Sequence, residues 1–189
     1  MSAFSTGRYP EVFVSHTAIS KAVYDAVARG ELRRIGTRLY TRNFSENPDR
    51  LVRRNWHHLI TGYYPDALIT DRTALENKPA ADGSVFLISE KGTETQLPGL
   101  TFRPRQGAAA IDSDRPFIGG ARLASTARAY LENMRPSRAR GGRATRTLSR
   151  GELEQRLDAL LRTQGEGSLN KLRDDARVIA PELGLEAEF

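Results

Sequence analysis

Cysteine is absent from the 189 residues, and with it go disulfides, Cys-ligated zinc and thiol nucleophiles. A small secreted scaffold stapled by bridges is thereby excluded. No stretch approaches the roughly 18 consecutive apolar residues of a membrane span. Met1 to Pro10 lacks the apolar centre of a secretion signal, so the expected location is the cytoplasm. Histidine is confined to His16, His57 and His58. The last two lie about 100° apart on a helix, which is poor geometry for one shared metal ion. Gly-x-Ser-x-Gly, His-Glu-x-x-His, Gly-x-Gly-x-x-Gly and a phosphate loop with its lysine are all missing. The expectation is therefore a protein with no complete catalytic constellation, no cofactor and no metal.

Lysine is almost as scarce. Only Lys21, Lys78, Lys91 and Lys171 occur among 29 basic residues; the rest are arginine. Codon bias in a GC-rich genome can produce that ratio. It does not produce the clustering. Residues 1–60 hold 10 basic and 5 acidic side chains. Residues 61–134 are near balance, with 8 and 9. Residues 135–150 hold 6 arginines and no acid, and residues 151–189 hold 5 basic against 9 acidic. Two positive blocks and an acidic tail result, within a net charge of +6. Clustered arginine suits phosphate and guanine edges, although charge clusters are also common as plain solvated faces.

The hydrophobic share of 39% supports a modest core, and its patterning gives the elements. Val12–Val14 is a short β-prone run. Ile19, Val23 and Ala26 or Val27 recur at helical spacing, and Gly30 supplies the stop, so a helix is expected over 17–29. Leu32 to Arg42 reads as a hairpin around Gly36-Thr37 with arginines on its exposed positions. Asn47-Pro48 is an N-cap followed by proline at the first helical position. One helix is expected from there, with Val52, Trp56, Leu59 and Ile60 inward, ending at Gly62. Ala67–Thr70, Val85–Ser89, Thr93–Leu97, Leu100–Arg105 and Phe117–Leu123 read as strands or apolar runs. Asp71–Glu76 reads as a short helix, and Ser125 caps another that ends at Met134. Residues 135–150 have almost nothing to bury and read as a linker, which can serve as an arm for nucleic acid or for an acidic partner. Ser149 and Glu152 form a capping box. The helix behind it should break at Gly165 and Gly167, and a final helix should end at Pro181. No internal repeat is present.

The expected fold class is α/β in the α+β sense. It comprises a winged-helix-like module over 1–45, a small mixed α/β platform over 46–134, an Arg/Gly-rich linker over 135–148 and a C-terminal helical hairpin over 149–189. A short helix with small polar and basic residues outward can enter a major groove, and a following hairpin can lie along phosphates. That reading nominates Ser20, Lys21, Tyr24 and Arg29 on the helix, Arg33, Arg34, Thr37 and Arg38 on the hairpin, and Arg53 and Arg54 as an extension. DNA is the expected partner.

Resemblance sharpens this expectation. Ile19-Ser20-Lys21, then Val27-Ala28-Arg29-Gly30-Glu31-Leu32-Arg33-Arg34-Ile35 and Leu39-Tyr40, resemble the N-terminal winged helix of AbiEi-type antitoxins. Asp66 to Glu76 and Leu123 to Leu131 resemble that family's following blocks, so the likeness covers roughly residues 15–135. It implies a DNA-binding transcriptional autorepressor and antitoxin with a toxin as protein partner. The segment before Val12 is too short for that family's usual first helix. A second resemblance spans Pro65 to Phe189. Thr73-Ala74-Leu75-Glu76-Asn77, Gly83 to Leu87, Arg128 to Gly142 and Ala180 to Leu185 resemble the N-terminal accessory region of some Fic-family proteins. The Fic motif H-P-F-x-x-G-N-G-R is missing; Arg115-Pro116-Phe117-Ile118-Gly119-Gly120 has arginine where the general-base histidine belongs. The resemblance implies, as the alternative, a non-catalytic docking region of a Fic-type adenylyltransferase system, possible as a truncated product.

Overall fold

A computed structural model describes residues 9–188. The chain is a mixed α/β protein with two sheets and a long C-terminal helical segment. The first sheet is three-stranded and antiparallel: β1 (Val12–Val14), β2 (Arg33–Gly36) and β3 (Leu39–Thr41), with β3 in the centre. A 3-10 turn at Thr17–Ile19 runs into α1 (Ser20–Ala28). Gly30 stops α1 as expected, at a φ of 74°. Its amide donates to the Val27 carbonyl and that of Glu31 to Ala26 (2.9 Å), a Schellman closure. Phe13, Val23, Ala26 and Leu32 bury the underside of α1, with Tyr9, Ile19 and Tyr40 around them. The hairpin turns on Thr37-Arg38, one residue later than expected, because Gly36 pairs with Leu39. Arg38 takes the left-handed conformation, at a φ of 58°.

Two helices replace the single one expected after Asn47-Pro48. They are α2 (Pro48–Arg54) and α3 (Trp56–Tyr63), and the Asn47 side chain accepts from the Asp49 amide as predicted. Asn55 makes the break: its side-chain amide donates to Leu51 O (2.9 Å) and Glu11 (3.2 Å). Gly62 does not end α3, which runs on to Tyr63. Its missing side chain admits β1 instead; a Cβ there would lie 2.5 Å from the Val14 Cβ.

The second sheet has six strands in the order β6-β7-β5-β4-β9-β8. These are β4 (Leu68–Ile69), β5 (Ser84–Ile88), β6 (Thr95–Leu97), β7 (Leu100–Arg105), β8 (Arg115–Pro116) and β9 (Arg122–Leu123). The β5–β7 and β4–β9 pairs are parallel and the rest antiparallel. The expected strand over 117–123 is interrupted by a 3-10 turn at Ile118–Gly120, where Gly119 and Gly120 have positive φ. Helices α4 (Asp71–Glu76) and α5 (Thr126–Met134) complete this part. One core runs from Val12 and Leu39 through α2 and α3 to the second sheet and Ala129.

The Arg/Gly-rich segment is largely exposed, yet its C-terminal end is anchored. Thr147 and Leu148 are buried. The Leu148 amide donates to Asn133 Oδ1 (2.9 Å) and the Ala144 amide to Asp82 (2.8 Å). The burial of Thr147 and Leu148 departs from the expectation of a linker with almost nothing to bury. The capping box at Ser149 and Glu152 is present and opens α6 (Arg150–Leu183). This segment folds back at Gly165, at φ 79° and ψ 175°. Leu157 of one arm and Leu169 and Leu172 of the other line one apolar cleft with Tyr130 and Leu131 of α5. Gly167 lies within the second arm, contrary to expectation. So does Pro181; the helix ends at Gly184, in the left-handed conformation. No described helix is long and apolar enough to cross a membrane.

Candidate nucleic-acid interface

The outer face of α1 follows from the same period that buries its inner one. Ser20, Lys21, Tyr24 and Ala28 recur at three and four residues and are exposed, opposite buried Val23 and Ala26. Tyr24 is 75% exposed, more than any other described aromatic residue of the module. Ser20 is spent locally, its hydroxyl donating to Thr17 O (3.0 Å). Arg29, one turn on, pairs with Glu31 at 2.8 Å. That pairing holds Arg29 above and Glu31 below their ordinary pKa values.

The nominated arginines beyond α1 are not gathered along one edge. Arg33 stands at the open end of the hairpin and Arg38 at its turn. Arg33 donates to the carbonyls of Asn43 (2.8 Å) and Glu46 (2.5 Å). Arg38 donates to Ser15 O (2.8 Å) and Gly62 O (3.3 Å), and its guanidinium lies over the Tyr63 ring at 5.9 Å. Burial pushes the Tyr63 phenol up to about 12; its hydroxyl donates to the carbonyl of Thr37, itself exposed in the turn. Arg53 reaches Gly99 O (2.7 Å) and Ala81 O (3.1 Å), toward the second sheet. Arg54 pairs with Glu11 (2.8 Å) and Glu46 (2.9 Å), whose hydrogen bonds raise its pKa. Arg34 is exposed, its side chain bonded among the described residues only to Gly36 O (3.1 Å).

The ten residues thus fall into distinct groups. Ser20 is bonded within its own turn, and Lys21, Tyr24, Arg34 and Thr37 face solvent. Arg29 and Arg54 are neutralised by carboxylates. Arg33, Arg38 and Arg53 bond neutral carbonyls, so they keep their charge and spare N–H donors while their positions are fixed.

A second constellation lies between α4, β7 and α5, and sequence reasoning did not nominate it. Arg128 is fully buried and bonds Asp114 (2.7 Å), Glu132 (3.1 Å) and the carbonyls of Ala108 and Ala109. Arg105 holds Asp71 through two bonds, at 2.8 and 3.2 Å, and lies 3.3 Å from Glu132. Thr70 Oγ1 donates to Glu132. Burial pushes the carboxyls of Asp71 and Glu132 above the usual carboxylate range, and the charge of Asp71 adds to the effect at Glu132. Asp71 has a φ of 52°, unusual for a non-glycine residue. The one visible signal was the spacing of Arg128 and Glu132, four residues apart on a helix.

No protein-family model, curated protein or solved structure matches this chain. The class is that of a mixed α/β protein carrying an exposed helix on a basic antiparallel sheet.

Proposed function

We propose that the chain is a DNA-binding transcriptional regulator of the antitoxin type, and that the outer face of α1 is its reading surface. The observation that carries this reading is the exposure of Lys21 and Tyr24 on α1, in a module whose hairpin also holds Arg33 and Arg38 tied to carbonyls at its two ends. Carbonyl contacts orient a guanidinium without cancelling its charge. Arg33 and Arg38 therefore sustain a positive field around α1, and Arg34 adds a solvent-facing fork. The antitoxin assignment itself comes from the resemblance over residues 15–135.

Duplex binding measured by fluorescence anisotropy over a salt series tests the reading. With about four phosphates neutralised, the log–log salt slope is roughly −3.6. Lys21→Ala lowers its magnitude by about 1, and Tyr24→Ala weakens binding without changing the slope. Absence of binding at low salt, or indifference to both substitutions, overturns it. The alternative is a docking region of a Fic-type system, favoured by exposed Val178 (76%), Met134 (46%) and Leu161 (37%) on α5 and α6. Under it, Val178→Asp abolishes capture of the partner module and leaves duplex affinity untouched.

A further inference from the structure

A polar pocket of about 210 Å³ opens where α4, the end of β7, α5 and the C-terminal turn meet. Leu183 and Leu185 form part of its rim. Its wall brings together three guanidiniums from separate segments: Arg105 at the end of β7, Arg135 after α5, and Arg146 from the Arg/Gly-rich segment. Asp71 and Glu132 complete the charged lining.

These arginines differ in how far they are satisfied. Arg105 is bound to Asp71, and Arg135 bonds Glu188 (3.0 Å) and Gly184 O (3.1 Å). Arg146 has one long ion-pair contact, 3.9 Å to Asp71, whose oxygens Arg105 already engages. Its Nε is buried and has no hydrogen-bond partner among the described residues. Arg72 and Arg122 also have an unpaired buried Nε, but their terminal nitrogens are anchored, at Glu76 and Thr147 O and at Asp114 O. Among the described residues no hydrogen bond anchors the fork of Arg146. A buried N–H without an acceptor is costly, and a pocket beside it can supply one from a ligand. The backbone of Asp71, across the same pocket, is held in the left-handed region, a conformation that concentrates at binding sites.

We propose that this pocket binds the phosphoryl group of a small metabolite, with Arg146 as principal ligand and Arg105 and Arg135 flanking it. The unanchored fork of Arg146, with the charge and remaining N–H donors of Arg105 and Arg135 beside it, matches a group with three terminal oxygens. A planar carboxylate presents only two oxygens and is matched in shape by one fork. The volume is about seven times the roughly 30 Å³ share of one water, which accommodates a phosphoryl group and a compact body. Occupancy joins the Arg/Gly-rich segment and the C-terminal turn to the end of β7. The site is independent of the nucleic-acid reading.

The test uses the full chain in calorimetric titration and thermal denaturation. The probes are inorganic phosphate and glycerol 3-phosphate, against succinate and chloride at matched ionic strength. Saturable binding of both phosphoryl compounds is expected. Arg146→Gln should weaken it at least about tenfold and leave the unliganded melting temperature unchanged. Arg138→Gln, exposed in the same segment, should bind as the parent does. Arg146→Lys keeps the charge and loses the fork, so it should also bind more weakly. No saturable response, full affinity in either Arg146 variant, or succinate binding as tightly as phosphate overturns the proposal.

Discussion

Gly62→Ala puts a number on the contact that joins the two sheets. In most helices this exchange stabilises, by up to about 1 kcal/mol, because alanine is the better helix former. Here the new Cβ would meet the Val14 Cβ at 2.5 Å and its Cγ2 at 2.7 Å. A Cβ is fixed to its backbone, so no rotamer of Val14 relieves the first contact. Either β1 or α3 has to move. Overpacking of this kind costs about 1–3 kcal/mol, which exceeds the propensity gain, more so because Gly62 lies in the last turn of α3. The net expectation is a loss of about 1–2 kcal/mol, or a fall of about 2–8 °C in melting temperature for a chain of this size. Urea denaturation followed by circular dichroism reads it directly. A cycle with Val14 identifies the cause. Gly62→Ala should remain destabilising beside Val14→Ala, which keeps the offending Cβ, and become neutral or favourable beside Val14→Gly. A Gly62→Ala variant as stable as the parent refutes the claim that β1 rests directly on α3.

Arg128→Met should destabilise the fold by about 3–5 kcal/mol in the same assay, since it leaves Asp114 buried without its cation. Hydrogen bonds from Arg54 and then Asn43 hold Glu11 below its ordinary value of 4.5. Its stabilising contribution is therefore present above that value and lost as pH falls through the folded one. Glu11→Gln should accordingly lower stability at neutral pH and converge on the parent in acid, in paired denaturation curves. Gly165→Ala meets open space but must adopt a backbone conformation that only glycine tolerates, so it should cost about 1–3 kcal/mol. Its effect should concentrate in amide exchange along α6.

Elements whose signals are local were readable from the chain. Asn47-Pro48, Ser149 with Glu152, and Gly30 each act within one turn, and each does what its chemistry predicts. Misreadings came where a distant residue decides. Gly62 reads as a stop, yet its purpose is set by Val14, 48 positions earlier. Asn55 reads as an unremarked helix residue until Glu11 takes its side-chain amide. The arginines were legible as charge and illegible as geometry, because main-chain carbonyls, the acceptors of Arg33, Arg34, Arg38 and Arg53, leave no trace in composition. The buried cluster around Arg128 joins segments from 70 to 132, and charged residues read as surface until the fold encloses them.

The forks of Arg33, Arg38 and Arg53 each span carbonyls of two residues apart in the chain: Asn43 and Glu46, Ser15 and Gly62, Ala81 and Gly99. Lysine carries three donors on one flexible nitrogen and lacks the rigid fork that holds two separated carbonyls in a fixed geometry. The preference for arginine in this region thus has an architectural use, whatever the codon bias of its genome. Lysine at those three positions would preserve every charge and loosen these cross-links.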